Sequence, residues 1–267
     1  GAQTIRDSNL MLGRAIDGTP DPALANLVPV VLPNGNSTVQ EIRYETFANH
    51  NWQISNRMSL ESAVIVETST IEQSGDVSNT RDFQFFRPRF DYRFDITPSL
   101  QLRAGLRKDV EQLSFSDFSA SVDGGDEDRD TLAGNPKIRQ EQSWRYELNL
   151  EMRLPNDLGV VNSQFWYRDV TDHIDRVDVS SSEGTLASAR GNIGDGKRYG
   201  LNLDLSTKLD NLGLQNALLT TAVRLRDSEY IDPFLGIKRR QRGNGRWQAN
   251  VGFRHDVSAH GLTYGLN

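Results

Sequence analysis

The most constraining feature of this sequence is a long stretch in which apolar and polar residues alternate. From Ser143 to Pro155 the apolar row is Trp144, Tyr146, Leu148, Leu150, Met152 and Leu154, and the polar row is Arg145, Glu147, Asn149, Glu151 and Arg153. Side chains alternate across a β-strand with a period of two, so the stretch predicts a long strand with one apolar face and one charged face. Unpaired charges are too costly to bury in an apolar core, so the charged face must meet water or other polar groups.

The same design recurs along most of the chain. A second clean example is Arg81–Ile96, in which aromatic residues alternate with Arg87, Arg89, Asp91, Arg93 and Asp95. Short turns fall near residues 55, 98, 157, 211 and 259, whereas long polar loops fall near residues 76, 129, 188 and 238. The strands between them are about 13 to 18 residues long, against about 5–6 residues in globular sheets.

This pattern predicts an all-β fold, an antiparallel up-and-down transmembrane β-barrel segment of roughly ten long strands. Tight turns would be periplasmic and long loops extracellular, and the apolar face would meet lipid while the charged face lines the lumen. Trp144 and Trp247 lie at the loop ends of their strands and Trp52 near a turn end, where interfacial aromatic residues are expected. A soluble sandwich with the apolar face inside is the alternative, although sandwich strands are typically shorter.

Composition excludes several classes of protein. The mean hydropathy of −0.57 suits a soluble chain. No stretch of the sequence is long and apolar enough for a membrane helix. These observations do not exclude a membrane β-barrel, because barrel strands carry only alternate apolar residues. The net charge of −6 argues against a nucleic-acid partner. The chain has no cysteine, which removes disulfides, thiolate metal sites and cysteine nucleophiles.

No pattern in the sequence predicts catalysis. The four histidines, His50, His173, His255 and His260, show no i, i+4 spacing typical of a zinc site, and no Gly-x-Ser-x-Gly elbow occurs. We therefore expect neither an enzyme nor a resident cofactor or metal.

Three ordered motifs resemble the barrel of TonB-dependent outer-membrane receptors. They are Gly134–Trp144 followed by Tyr146-Glu147-Leu148, then Phe165–Val170 with Ile174, and Asn192-Ile193-Gly194 leading to Gly200–Leu203. Gln140 departs from the proline that is common in that family. The resemblance covers about residues 38 to 267.

The resemblance implies a barrel of about 22 strands that is closed by a separate plug domain. It divides the chain into an irregular segment with one short strand over residues 1–37 and a partial receptor barrel over residues 38–267. The plug and the TonB-contacting segment are not recognisable, and the last strand is incomplete, so we expect an internal part of the barrel. Such a part has two open edges, whose unpaired backbone groups are unfavourable in lipid.

Two groups of residues are candidates for contact with a ligand or the plug. The lumen candidates are Arg87, Arg89, Arg93, Arg103, Arg107, Arg145 and Glu147. The arginines would attract an anionic ligand such as a ferric chelate, or they would simply pair across strands with Asp91, Asp95, Asp109, Glu147 and Glu151.

The second group is an acidic extracellular loop, which holds Asp123, Asp126, Glu127, Asp128 and Asp130. These carboxylates suit calcium, but they lack the EF-hand spacing, and the alternative is a solvated loop that captures ligand. The basic run Arg239-Arg240-Gln241-Arg242 is either a solvated loop or a contact for lipopolysaccharide phosphates.

The resulting functional hypothesis is an outer-membrane active-transport receptor, in the Gram-negative cell, for a scarce nutrient such as a ferric siderophore. Its expected partners are the TonB complex, reached through a plug domain not in this chain, outer-membrane lipid and a small-molecule ligand, and it is expected to be a monomer. The alternatives are a passive porin-like or structural barrel without energy coupling, and a soluble β-domain.

Overall fold

The computed structural model describes residues 2–8, 11–14, 27–30, 36–75, 77–118, 121–122, 131–132, 135–179, 188–241 and 245–267. Side chains are described from Thr38 onward within these ranges, except at Ser116, Ser121, Val122, Thr131, Leu132 and Ala259. The strands are Ala2–Ser8 (β1), Met11–Arg14 (β2), Leu27–Val30 (β3), Asn36–Ser55 (β4), Met58–Gly75 (β5), Asn79–Thr97 (β6), Leu100–Val110 (β7), Ser121–Val122 (β8), Thr131–Leu132 (β9), Gln142–Arg153 (β10), Gly159–Thr171 (β11), Ile174–Asp178 (β12), Ser188–Asn192 (β13), Gly196–Lys208 (β14), Ala217–Ile231 (β15), Lys238–Arg239 (β16), Trp247–Val257 (β17) and Leu262–Leu266 (β18).

One large sheet organises the molecule. Its strand order is β1-β4-β5-β6-β7-β10-β11-β14-β15-β17-β18, with β16 paired to β15. Neighbours along this path pair antiparallel and follow one another in the chain, apart from small elements inserted in the long loops. The described part of the sheet is open, with β1 and β18 at its two ends, and it confirms the predicted up-and-down fold.

The connections alternate in length as predicted, except that β5 and β6 are joined by a short link, residues 76–78, at the end where the other connections are long. Short links join β4 to β5, β6 to β7, β10 to β11, β14 to β15 and β17 to β18. At the opposite end, the long connections carry a second sheet of order β12-β13-β9-β8. This second sheet and its neighbouring segments therefore lie at the end that the sequence assigns to the extracellular side.

The predicted loop Glu72–Thr80 is wrong. Strand β5 runs to Gly75 and β6 starts at Asn79, so most of the stretch is strand, and the pairing runs as far as Gln73 and Asn79. The polar composition suggested a loop, but these polar residues extend the paired ladder of β5 and β6. Of the described residues in this stretch only Gln73 is buried, where its side chain donates to the Phe118 carbonyl at 3.2 Å.

The segment 1–37 also contains more strand than expected. The structure has β1, β2 and β3 in it, and β1 pairs with β4 from Ala2 opposite Ile42 to Ser8 opposite Asn36. The short strand predicted at Leu27–Leu32 corresponds to β3. The division of the chain into two domains at residue 37 stays a prediction.

The large sheet carries its apolar residues on the exposed face. On β10, Tyr146 is 45% exposed and Leu148 46% exposed, and the same holds for Phe86, Phe90 and Phe165 on other strands. Exposed apolar area of this extent is typical of a surface that contacts lipid or another protein. The arrangement is the reverse of a soluble sandwich, in which these rows would be inside.

The described apolar core is small and lies under the loops. It is formed by Val39, Ile71, Phe118 and Ile138, with Phe83, Leu113, Phe115 and Ile174 packed against it. Among the described residues, no helix is long and apolar enough to cross a membrane.

Candidate functional site: the polar face and its rim

The register of the sheet places arginines directly opposite one another on its polar face. Arg89, Arg107, Arg145, Arg168 and Arg198 form one row across five adjacent strands, β6, β7, β10, β11 and β14. The next row toward the short turns is Asp91, Gly105 and Glu147 on β6, β7 and β10. The polar face is therefore banded, with a cationic row nearer the loops and an acidic row beside it.

This register changes how the predicted lumen arginines are paired. Like charges directly opposite one another are unfavourable, so most of these arginines turn along their own strand to an acid two residues away. Arg89 pairs with Asp91 and Arg145 with Glu147, whereas Arg93 pairs with Asp95 at 2.7 Å and Arg107 with Asp109 at 3.2 Å.

The prediction named the correct acids for Arg89, Arg93, Arg107 and Arg145. It was wrong about the direction, because each of these pairs lies along one strand rather than across two strands. Glu151 likewise pairs along its own strand with Arg153, at 3.4 Å. The remaining lumen candidates behave differently: Arg103 donates to Gln101 Oε1 at 2.6 Å. Arg87 does pair across strands, with the buried Glu67 at 2.8 Å and Glu45 at 3.5 Å.

A concavity of about 530 Å³ lies on the polar face toward the loops. We call it the arginine pocket, because its lining includes Arg145, Arg168, Arg198, Arg224 and Arg226. Its other described lining residues are Gln164, Trp166, Asn202, Gln241 and Gln248, and none of them is acidic. Of the predicted site residues only Arg145 lies in it.

A buried polar cluster stands above this pocket, where the strands meet the loops. This rim cluster consists of Glu141, His173, Arg198 and Tyr230. Glu141 is 3% exposed and His173 2% exposed. Nδ1 of His173 donates to one carboxylate oxygen of Glu141 at 2.5 Å, and Nη2 of Arg198 donates to the other at 2.8 Å.

Tyr230 completes the rim cluster by aromatic stacking. Its ring lies 3.9 Å from the His173 ring, centroid to centroid, with an angle of 28° between the planes. Arg198 Nε donates to the Tyr230 hydroxyl. The ring occupies space above Gly196, where an added Cβ would lie 2.0 Å from a Tyr230 ring carbon, so the site requires glycine at this position.

Charge and burial act in opposite directions on Glu141. Burial disfavours its charged form, but the hydrogen bond from His173 and the positive charge of Arg198 outweigh burial and hold the pKa of Glu141 below its ordinary value. Both oxygens of the ionised acid are therefore partnered, which favours a structural role for Glu141, while Nε2 of His173 is buried without a hydrogen-bond partner among the described residues.

The Asn-Pro motif next to the cluster ties the loops together. The Asn135 side chain donates to the Arg190 carbonyl at 2.9 Å and accepts from the Lys137 backbone at 3.0 Å. The Asn192 side chain accepts from the Arg139 backbone N–H at 2.8 Å and donates to the Arg139 carbonyl at 2.9 Å. Two of the motifs noted in the sequence are thus partners in one loop assembly.

The basic run after β15 is already engaged by acids. Arg239 contacts Asp175 and Asp232, each at 2.7 Å, and Arg240 pairs with Asp227. Burial opposes ionisation of Asp175, yet the hydrogen bond from Arg239 lowers the pKa of Asp175 below its ordinary value. The structure thus favours a structural role for Arg239 and Arg240, while Arg242 lies outside the described residues.

The acidic loop candidates Asp123, Asp126, Glu127, Asp128 and Asp130 all lie outside the described residues. Within the part of the chain that the structure describes, no group of three or more histidine, aspartate and glutamate residues is placed to hold a metal ion. The ligand-contact role of the acidic loop stays a prediction.

A family comparison decides the class of this sheet. The model for the TonB dependent receptor-like beta-barrel matches residues 6–266. The chain belongs to the TonB-dependent receptor β-barrel family. The members of this family are outer-membrane transport receptors rather than enzymes, and the predicted resemblance is confirmed.

Solved receptor structures show the same fold. The copper transporter OprC aligns with a TM-score of 0.64 and 14% identity over 83% of this chain and 33% of its own. The hemophore receptor HasR of Serratia marcescens, solved with its hemophore HasA and heme, has a TM-score of 0.62 and 13% identity, covering 87% and 44%. The alcaligin receptor FauA of Bordetella pertussis has a TM-score of 0.52 and 14% identity, covering 87% and 37%.

This TonB-dependent receptor barrel chain spans less than half the length of these three structures. No curated protein sequence gives a match. At such low identities the likeness concerns the fold, so the roles of individual side chains follow from the geometry above.

Sequence reasoning missed several residues that the structure brings together. Arg168 and Arg198 follow the same alternation as the predicted arginines, and Arg224 and Arg226 lie two apart on β15. Their spacing was a usable signal. His173 and Tyr230 gave none, because they approach one another only through the pairing of distant strands.

Proposed function

We propose that this chain is part of an outer-membrane receptor that imports a scarce nutrient into a Gram-negative cell, with energy supplied through TonB. The observation that carries the proposal is the family match along nearly the whole described sheet, combined with an apolar face that is exposed and a polar face that is banded with charge. The apolar face is suited to lipid, and the polar face to a lumen.

The ligand we propose is an anionic metal chelate of the ferric siderophore type. The excess of guanidinium groups near the loops supports this choice, because a cationic surface raises the local concentration of anions. Several solved relatives are named for such cargo, including the ferric yersiniabactin uptake receptor FyuA of Yersinia pestis and the siderophore receptor PiuA of Acinetobacter baumannii.

In this mechanism the loops and the polar wall capture the ligand, and a plug domain elsewhere in the receptor is displaced by TonB. The barrel segment contributes the wall and holds the loops in place through the rim cluster. The lumen candidates Arg87, Arg89, Arg93, Arg103, Arg107, Arg145 and Glu147 stay proposed contacts for ligand or plug.

The decisive experiment is uptake of radioactive iron, supplied as ferric siderophores, by cells that make the receptor containing this chain as their sole such receptor. Uptake is expected to stop when TonB is deleted and to return when TonB is restored. Cells with TonB but without the receptor are the control. Uptake that continues unchanged without TonB would favour the passive porin-like alternative, and a receptor found wholly in the soluble fraction would exclude both.

A further inference from the structure

The arginine pocket contains two guanidinium groups without an acidic partner. Of its five arginines, Arg145 pairs with Glu147, Arg198 with Glu141 and Arg224 with Asp204. Among the described residues, the Arg168 guanidinium makes no hydrogen bond or ion pair, and the Arg226 guanidinium donates only to the Gly245 carbonyl at 3.1 Å and to Gln248 at 3.4 Å. The five arginines of the pocket carry five positive charges, and their three acidic partners carry three negative charges. Two positive charges are therefore not balanced by these partners.

The surroundings of Arg168 make its free charge unfavourable. It is half-buried, and it lies directly opposite Arg145 on one neighbouring strand and Arg198 on the other. The nearby acids are Asp109, which is already paired with Arg107, and Glu111, which makes no ion pair with Arg168. A partly buried cation between two others is incompletely hydrated and here has no acid in direct contact, so a bound anion would supply the missing partner.

A second unsatisfied group lies in the same wall. Nε of Arg145 is buried and has no hydrogen-bond partner among the described residues. Buried donors without a partner are unusual in native proteins and call for an explanation, such as a ligand or ion. Amide side chains from Gln164, Asn202 and Gln248 line the pocket and could bind the uncharged oxygens of the same ligand.

We propose that the arginine pocket is a binding site for a small oxyanion with two or more negative charges, held by Arg168 and Arg226. Its volume of about 530 Å³ lies within the usual range of roughly 300–1,000 Å³ for small-molecule sites. Guanidinium groups bind carboxylate and phosphate oxygens through paired hydrogen bonds, so a polycarboxylate fits best. This proposal depends on the proposed function in one respect, namely that the polar face of the sheet lines a lumen.

Citrate is the probe for the experiment. The whole receptor that contains this chain is purified in detergent, and citrate binding is measured by calorimetry at low salt and neutral pH. Saturable binding that weakens as salt is added is expected, and the uncharged ester triethyl citrate is expected not to bind.

Variants then locate the site. Arg168→Gln and Arg226→Gln should each weaken citrate binding about tenfold or more, since each removes charged hydrogen bonds. Arg168→Lys keeps the charge but loses the paired geometry, so a smaller loss is expected. Arg103→Gln is the matched control, because Arg103 lies on the same polar face outside the pocket and donates to Gln101.

The proposal is overturned if the wild-type receptor does not bind citrate. It is also overturned if a folded Arg168→Gln variant binds as the wild type does, or if Arg103→Gln loses as much affinity. Correct folding of each variant is checked by its heat-modifiable migration on a gel. No TonB is present in this assay, so failure to bind citrate leaves the uptake proposal standing, and failure of TonB-dependent uptake leaves the binding result standing.

Discussion

The rim cluster and the arginine pocket use the same kinds of side chain, but their charges are satisfied to different degrees. In the rim cluster, both oxygens of the buried Glu141 carboxylate have partners, and Arg198 is only 16% exposed. In the pocket a few residues away, Arg168 is also partly buried but has no acidic partner among the described residues. Arg198 lines both regions, so the two are in direct contact.

The difference shows how the same arginine-rich pattern can serve two purposes. A buried ion pair that is fully hydrogen-bonded holds its segments in one arrangement, and breaking it is costly because one charge is left behind. A half-exposed cation without a partner contributes little to stability but remains available to a ligand. The four predictions that follow test this contrast.

The largest effect is expected from Glu141→Ala. This change leaves Arg198 buried without its acid and His173 without its acceptor, so the loop region should lose about 3–5 kcal/mol of local stability. Hydrogen exchange of residues 135–141 and 171–179 in the whole receptor measures the loss. Glu151→Ala is the matched control, because Glu151 is only partly buried and is paired with Arg153 at 3.4 Å, and at most about 1 kcal/mol is expected there. Equal losses in both variants would remove the contrast.

Acid should weaken the same cluster without any substitution. The pKa of Glu141 is lowered in the folded state, so its contribution is fully present above the ordinary glutamate value of 4.5 and is lost as the pH falls through the lower, folded value. Proteolysis by pepsin, which is active in acid, should cut the segment near His173 more readily as the pH is lowered from about 4.5. In the Glu141→Gln variant this pH dependence should be reduced, and an unchanged pH profile in that variant would contradict the assignment.

Gly196→Ala tests the stacking part of the rim cluster. A Cβ here would lie 2.0 Å from the Tyr230 ring and 2.8 Å from the Glu229 carbonyl, so Tyr230 must move away from His173. A loss of about 1–3 kcal/mol is expected, as for other overpacked sites, together with faster hydrogen exchange at Ile174. Gly245→Ala serves as control, because its nearest contact is 3.8 Å away, and it should behave as the wild type.

The smallest effect on stability is expected for Arg168→Gln in the absence of a ligand. Removing an unpaired cation between Arg145 and Arg198 relieves repulsion, so the free energy of unfolding should change by less than about 1 kcal/mol and not necessarily downward. Arg198→Gln is the comparison, since it removes the partner of buried Glu141 and should cost several times more. If Arg168→Gln proves the more damaging of the two, Arg168 has a structural role and the contrast fails.

Much of the fold is determined by local sequence pattern. The alternation in Ser143–Pro155 and in Arg81–Ile96 predicts both strands and both faces, because the period of two is a property of each strand alone. The alternating lengths of the connections predict the order of neighbours in an up-and-down sheet. The exposed rows confirm that the apolar face is outside.

What the sequence by itself could not determine is the register between strands and the contacts between loops. A shift of one residue would exchange the two faces of a strand, whereas a shift of two keeps the faces and changes every cross-strand partner. Alternation therefore could not reveal that Arg145 lies opposite Arg107 and Arg168, or that the arginines pair along their own strands. The polar stretch Glu72–Thr80 was misread for a similar reason, since composition alone does not show how far the pairing of β5 with β6 extends.

The rim cluster is the clearest case that only the tertiary structure decides. Glu141 and Arg198 are separated by 57 positions, and His173 and Glu141 by 32. Each looks like an ordinary polar residue near the end of a strand. Sheet pairing brings the strand ends side by side, and burial beneath the loops then converts three polar side chains and Tyr230 into a fixed structural unit, while Arg168 beside them remains available for a ligand.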